Sequence, residues 1–371
     1  MAFIVVVGLG AVAASCSPSR VIEAARLMQD VAAGDGPSTL KEITPKPERR
    51  SLGHRLGQQL YEADIYVPAD RIAGTIVLVP GVSPKGRDDE RLVAFATSLA
   101  RAHFVVRVPE LSGLRQLRVS PGDTQVIADM LRLASTRDEE PSSSDKSVGL
   151  VAFSYAAGPA LLAALEPDVG PVLDFVLLVG GYHSVEALAT FVTTGAYRNA
   201  PTLPWQQATP NPRGKWLFLL SNADRVESAT DRRLLQEIGE RKFDDPEADI
   251  ADLTGQLGPE GRAIDAFLSN TDPERVPDLI RGLPPSIQAD MAALDPARRD
   301  LGTFRPRLYL VHGKDDAVIP FTESEVLSTA VPDATYFRVD SLAHVDLGPS
   351  SWFDAVRLWR AAYLLLGERE D

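Results

Sequence analysis

A serine attacks a carbonyl only when another group takes its proton, so the pattern to find is a hydroxyl, an imidazole and a carboxylate that one fold can bring together. In this 371-residue chain, three apolar runs are each followed by one of these groups. "SVGLVAFS" ends on Ser154 and passes at once into a small-residue helical stretch, "AAGPALLAALE", which stops before Pro167. "PRLYLVHG" leads into a turn with two adjacent carboxylates, Asp315 and Asp316. "ATYFRVD" is followed within a few residues by His344, 28 positions after Asp316. Such a trio would serve as nucleophile, general base and orienting acid for acyl transfer through a covalent intermediate.

The immediate surroundings of Ser154 are Ala152-Phe153-Ser154-Tyr155-Ala156, with alanine where the strand-to-helix serine signature G-x-S-x-G carries glycine. Small residues are needed there because the nucleophile's backbone is strained and the following helix crosses close to its strand, and alanine is the next smallest choice. Apolar strand, sharp turn and small-residue helix are the context this motif requires. Of the five histidines, His103 precedes an apolar run, His312 lies inside a strand end where packing is expected, and His54 and His183 have less suitable settings. Between Asp315 and Asp316 the residues alone leave the choice open, since one of an adjacent pair can cap the next helix. Asp224 also follows an apolar run, "KWLFLLSNADRV", which reads as strand-like, but no histidine follows it at the end of a next strand.

The hydrophobic pattern supplies the elements that must hold these residues. Seven runs read as strands: "LYEADIYVP", "GTIVLVPG", "HFVVRVPE", "SVGLVAFS", "DFVLLVGG", "PRLYLVHG" and "ATYFRVD". Several are almost continuously aliphatic, as strands buried on both faces should be, and helical patterns separate them, so a mostly parallel sheet with helices on both faces is expected. "DDERLVAFATSLARA" opens with carboxylates at a helix N-terminus and puts Leu92, Phe95, Ala96 and Leu99 on one side. "SSWFDAVRLWRAAYLLL" closes the chain as a helix, with Trp352, Val356, Trp359 and Tyr363 as its packing stripe. Residues 184–303 interrupt the alternation with polar, mainly helical sequence and are read as a lid. Residues 222–300 hold 18 Asp and Glu against 10 Lys and Arg, which disfavours an anionic substrate beneath them.

The order Ser154, Asp316, His344 resembles that of the α/β-hydrolase superfamily, from about residue 61 to the C-terminus. The chain is similar to lidded bacterial serine hydrolases and in part to dienelactone-hydrolase-like members, which carry cysteine where Ser154 stands. The resemblance selects Asp316 over Asp315, because Gly313, Asp316, Ile319 and Pro320 fit the G-x-x-D-x-x-[VI]-P pattern of similar enzymes. It further implies an oxyanion hole from the backbone N–H of Tyr155 and that of Val82, in "VLVPGVSPKG", where Gly81 would let the backbone turn inward. The fold implied is an α/β-hydrolase core, 51–183 and 304–371, with the 184–303 lid inserted. The activity implied is hydrolysis of a carboxylic ester through an acyl-enzyme, on a neutral or apolar small molecule, with no metal or organic cofactor. Two other readings use the same fold: a non-catalytic envelope lipoprotein offering an interaction surface, and an acyltransferase or thioesterase on the same trio.

A net charge of -13 argues against nucleic acid and anionic membrane as partners. The one cysteine, Cys16, excludes an internal disulfide. It follows an apolar run at residues 2–14, of signal-peptide length and too short to span a bilayer. Ala13, Ala14 and Ser15 before it resemble a bacterial lipobox, so residues 1–15 are expected to be a cleaved signal, Cys16 the lipidated first residue, and 16–50 a tether that begins with a short helix, "RVIEAARLMQDVAA". The protein would then reside in the cell envelope, in contact with membrane only through that anchor; without the signal it would be cytoplasmic.

Overall fold

The computed structural model describes residues 17–56, 59–136, 147–340 and 352–369. Its strands are β1 (Glu48–Leu56), β2 (Gln59–Val67), β3 (Gly74–Val79), β4 (Phe104–Pro109), β5 (Ser147–Phe153), β6 (Phe175–Val179), β7 (Ala196–Tyr197), β8 (Gln206–Gln207), β9 (Arg307–Gly313) and β10 (Thr335–Val339). Eight of them form one sheet in the order β1-β2-β4-β3-β5-β6-β9-β10, while β7 and β8 pair with each other. β2 runs antiparallel to both its neighbours, and every pairing from β4 to β10 is parallel.

The continuous apolar runs are explained by a core on each face of the sheet. Val77, Leu150, Ala152, Val176 and Leu178 point into one core, and their alternates Ile76, Leu78, Val151, Phe175 and Leu177 point into the other. The second core is closed by α1 (Pro18–Ala33), α2 (Glu90–Arg101) and, at the end of the chain, a helix over Trp352–Gly367. The first is closed by α3 (Pro121–Ser135), α4 (Ala157–Ala164) and a helix over Thr322–Ala330. Between β6 and β9 the insertion holds, among other helices, α5 (Val185–Thr194), α6 (Gly214–Asn222), α7 (Ala229–Asp244) and α8 (Pro259–Leu268). Trp216, Leu219, Leu235, Ile238, Ile264 and Phe267 give the insertion a small core of its own. The two helices that follow it are α9 (Thr322–Ala330) and α10 (Trp352–Gly367).

All seven expected strands are present, and four expectations need correction. The run in "KWLFLLSNADRV" is the helix α6, not a strand. Trp216 and Leu219 are buried in the insertion's core with Phe218 packed against it, and Leu217 and Phe218 also line a cavity, so five consecutive apolar residues, 216–220, hide the helical period in the sequence. β1 was not expected: it is a polar edge strand, paired from Glu48 opposite Val67 to Leu56 opposite Gln59. The short helix read over residues 20–33 is α1, but the stretch is not a spacer, since α1 and a short helix at Thr39–Ile43 pack on the body and bury Ala24, Leu27 and Leu40. On α10, Trp352 is 77% exposed and Val356 is exposed too, and the buried stripe is Leu358, Ala362, Leu365 and Leu366. Trp359 and Tyr363 are covered by α1: the Trp359 indole N–H donates to the Val21 carbonyl at 3.1 Å, and the Ser17 N–H donates to the Tyr363 hydroxyl at 3.1 Å.

Candidate active site

Ser154 is the first residue after β5, between strands β3 and β6 that flank it in the sheet. It is 5% exposed, and its φ is +56°, a left-handed conformation that a residue with a Cβ adopts only at a cost of about 1–3 kcal/mol. Phe153 before it is extended, residues Ser154–Ala156 make one tight turn, and the Ala157 N–H donates to the Ser154 carbonyl as α4 begins. The chain thus turns from strand to helix at a single strained serine.

Close crossing of α4 explains the small residues that follow. Ala152, Ala156 and Ala157 are fully buried, which fits alanine at the motif's two flanking positions. The closest approach is at Gly158, where an added Cβ would sit 1.9 Å from the Tyr182 hydroxyl. Gly158 stands two residues beyond the motif's second flanking position, which is Ala156.

The loop after β3 approaches the serine from the other side. A Cβ on Gly81 would lie 3.7 Å from the Ser154 Cβ and 3.6 Å from the Phe153 carbonyl. Gly81, Val82 and Ser154 line one pocket of about 430 Å³. Phe95 of α2 packs edge-on against Phe153 there, with ring centroids 5.4 Å apart. Tyr155 points elsewhere: its ring lines a separate apolar cavity of about 130 Å³ between α5, α6 and the core. Burial first, and then the negative charge of Asp316, push the Tyr155 phenol well above its usual pKa, so it remains a neutral hydroxyl.

Asp316 lies on the turn after β9, 6% exposed, while Asp315 beside it is exposed. One carboxylate oxygen, Oδ1, accepts the Val318 and Ile319 N–H groups at 2.8 and 3.1 Å, so this residue makes the turn's cap itself. Oδ2 lies against Gly180 at the end of β6, where φ is +66° and an added Cβ would be 3.4 Å away. His312 is fully buried, and its Nε2 is 3.5 Å from Asp316. The Ile319 carbonyl, 2.9 Å from Nε2, fixes the proton there, and Nδ1 accepts the Ser324 hydroxyl at 2.7 Å. Both nitrogens are thereby committed to packing partners. Asp224 is exposed and ion-paired to Arg118 at the foot of the insertion. His344 and Cys16 lie outside the described residues.

The backbone arrangement is shared with solved structures. An arylesterase matches at a TM-score of 0.51 and 12% identity, over 89% of each chain. A candidate hydrolase from Legionella pneumophila subsp. pneumophila matches at a TM-score of 0.53 and 13% identity, over 89% of this chain and 93% of that one. No family profile matches the sequence, and no curated protein does. The chain has the α/β-hydrolase fold, with its mostly parallel eight-stranded sheet covered by helices on both faces.

Proposed function

We propose that this chain is a serine hydrolase that cleaves carboxylic esters through an acyl-enzyme on Ser154. The observation that carries the reading is the left-handed backbone of a buried serine placed at the strand-to-helix turn. The approach of Gly81 and the buried carboxylate of Asp316 after β9 support it.

In this reading His344 takes the hydroxyl proton as Ser154 Oγ bonds to the ester carbonyl carbon, and Asp316 orients the imidazole and stabilises its charge. The oxygen that becomes negative receives the N–H groups of Tyr155 and Val82. The C–O bond to the alcohol then breaks, and the imidazolium returns the proton to the leaving alkoxide. Water repeats the sequence on the acyl-enzyme, releasing the acid and restoring Ser154. The 184–303 insertion serves as the lid, and its acidic surface favours neutral or apolar substrates over anionic ones. Residues 1–15 are a signal segment, and Cys16 carries a lipid that holds the enzyme in a bacterial envelope.

The test is hydrolysis of 4-nitrophenyl esters by the purified protein and by Ser154→Ala. The wild type is expected to turn them over, and the variant to lose at least about a thousandfold in kcat/KM with an unchanged unfolding temperature. Equal rates for the two folded proteins would refute the assignment.

A further inference from the structure

We propose that the N-terminal helix α1 forms a wall of the substrate pocket and sets the size of the group that fits beside Ser154. This rests on Ser154 being the nucleophile. The pocket of about 430 Å³ that contains Ser154, Gly81 and Val82 is also lined by the last turn of α1 and its cap, residues Val31, Ala32, Ala33 and Gly34. That volume lies within the range of pockets that enclose whole small molecules, well beyond what an acetyl group fills. The wall is recessed because its side chains are small. Gly34 has φ +53°, and a Cβ there would meet nothing within 4 Å.

The helix is held in place at both ends, as a wall must be. Asp30, 1% exposed, accepts the Ser98 hydroxyl of α2 at 2.7 Å, the Ser38 hydroxyl, and the Lys41 ammonium at 2.8 Å. Burial opposes ionisation of Asp30, yet these partners together hold its carboxyl below the usual range, so it stays charged and bonded. This buried node fixes the pocket end of α1 to α2, whose Leu92 and Phe95 line the same pocket. At the other end the Ser17 N–H meets the Tyr363 hydroxyl and Arg20 lies 5.2 Å over the Tyr363 ring. Elsewhere in the lining Asp89 accepts the Ser83 hydroxyl at 2.9 Å and the Arg91 backbone N–H at 3.1 Å, and the Arg91 guanidinium is 3.5 Å from the same carboxylate. What remains for a substrate is a bulky, neutral, mostly apolar group.

Ala33→Trp and Ala32→Trp put an indole into this space from a half-buried and an exposed position, so neither disturbs the core. They would be compared with wild type on two ester series, one with growing acyl chains and one with growing alcohols. In one of the series, the ratio of kcat/KM for the largest member to that for the smallest is expected to fall at least tenfold in either folded variant. A wild-type ratio retained in both series by a folded variant would overturn the wall. A wild type that hydrolyses no ester and leaves Ser154 unmodified by a fluorophosphonate would instead remove the nucleophile, and the pocket's role with it.

Discussion

Asp316 is where the side-chain geometry bears most directly on the proposed chemistry. Its Oδ1 is used by the Val318 and Ile319 N–H groups, which lock the carboxylate's rotation and leave Oδ2 facing the end of β6. Asp316→Asn is therefore expected to lower kcat by about three to four orders of magnitude, the cost seen when a triad carboxylate no longer fixes the imidazole tautomer. Asp224→Asn should change kcat less than tenfold, because that exposed carboxylate pairs with Arg118. Steady-state kinetics of both variants checks this, and the reverse ranking would move the acid to Asp224. The places of Ser154 and Asp316 at strand ends were legible in the sequence because each follows a run of apolar residues whose end the strand itself fixes. The close contact at Gly158 was not, because the motif names a position that here is alanine, and only Tyr182, from the next strand's end, reveals which residue must lack a Cβ.

Where the insertion joins the core, its entry and exit are tied by backbone groups and two carboxylates. Glu323 of α9, 2% exposed, accepts the His183 and Ser184 N–H groups at 3.0 and 2.7 Å. Asp295 accepts the Val185 N–H at 3.1 Å, the Ala297 N–H donates to the His183 carbonyl at 2.9 Å, and the Tyr182 hydroxyl donates to the Leu294 carbonyl at 3.1 Å. Burial, and to a lesser degree the charge of Asp295, push Glu323 up to about 7 against the pull of its two N–H donors. A carboxyl raised in the folded state keeps its proton while the unfolded chain loses it. Its contribution is thus full below its ordinary value of 4.5 and is lost as pH rises through about 7, on the order of 3 kcal/mol in all. Glu323→Gln cannot ionise, so the stability difference between wild type and variant should shift against the wild type from pH 5 to pH 8. Paired denaturant melts read this directly, and a constant difference would contradict it. At this scale the sequence conveyed helix or strand where one face was dry and the other wet, as in α2, whose Leu92, Ala96 and Leu99 are buried as expected. It failed where that contrast was hidden: α6 carries five consecutive apolar residues, 216–220, and β1 is an arginine-rich edge strand with a single buried residue, His54, among its described side chains.

The N-terminal segment packs on the α/β body; its helix was legible in the sequence, but its packing partners were not. The partners of α1 sit on α10, some 340 residues away, as the pairs Ser17 with Tyr363 and Val21 with Trp359 show. Sixteen residues of helix span about 24 Å, from Ser17 to the pocket that holds Ser154. A lipid on Cys16 would hold the body with no slack, because the next residue is already bonded to Tyr363. Protein from its native host should show, by intact mass, loss of residues 1–15 and a lipid increment on Cys16; a mature chain that keeps Met1 would contradict the envelope assignment. Ser154 as the nucleophile is tested by reacting the intact protein with a fluorophosphonate and mapping the adduct by peptide mass spectrometry. The expected result is one modified residue, Ser154, with modification lost in the folded Ser154→Ala protein. An active protein modified at another serine, or a folded protein that no fluorophosphonate modifies, would contradict it.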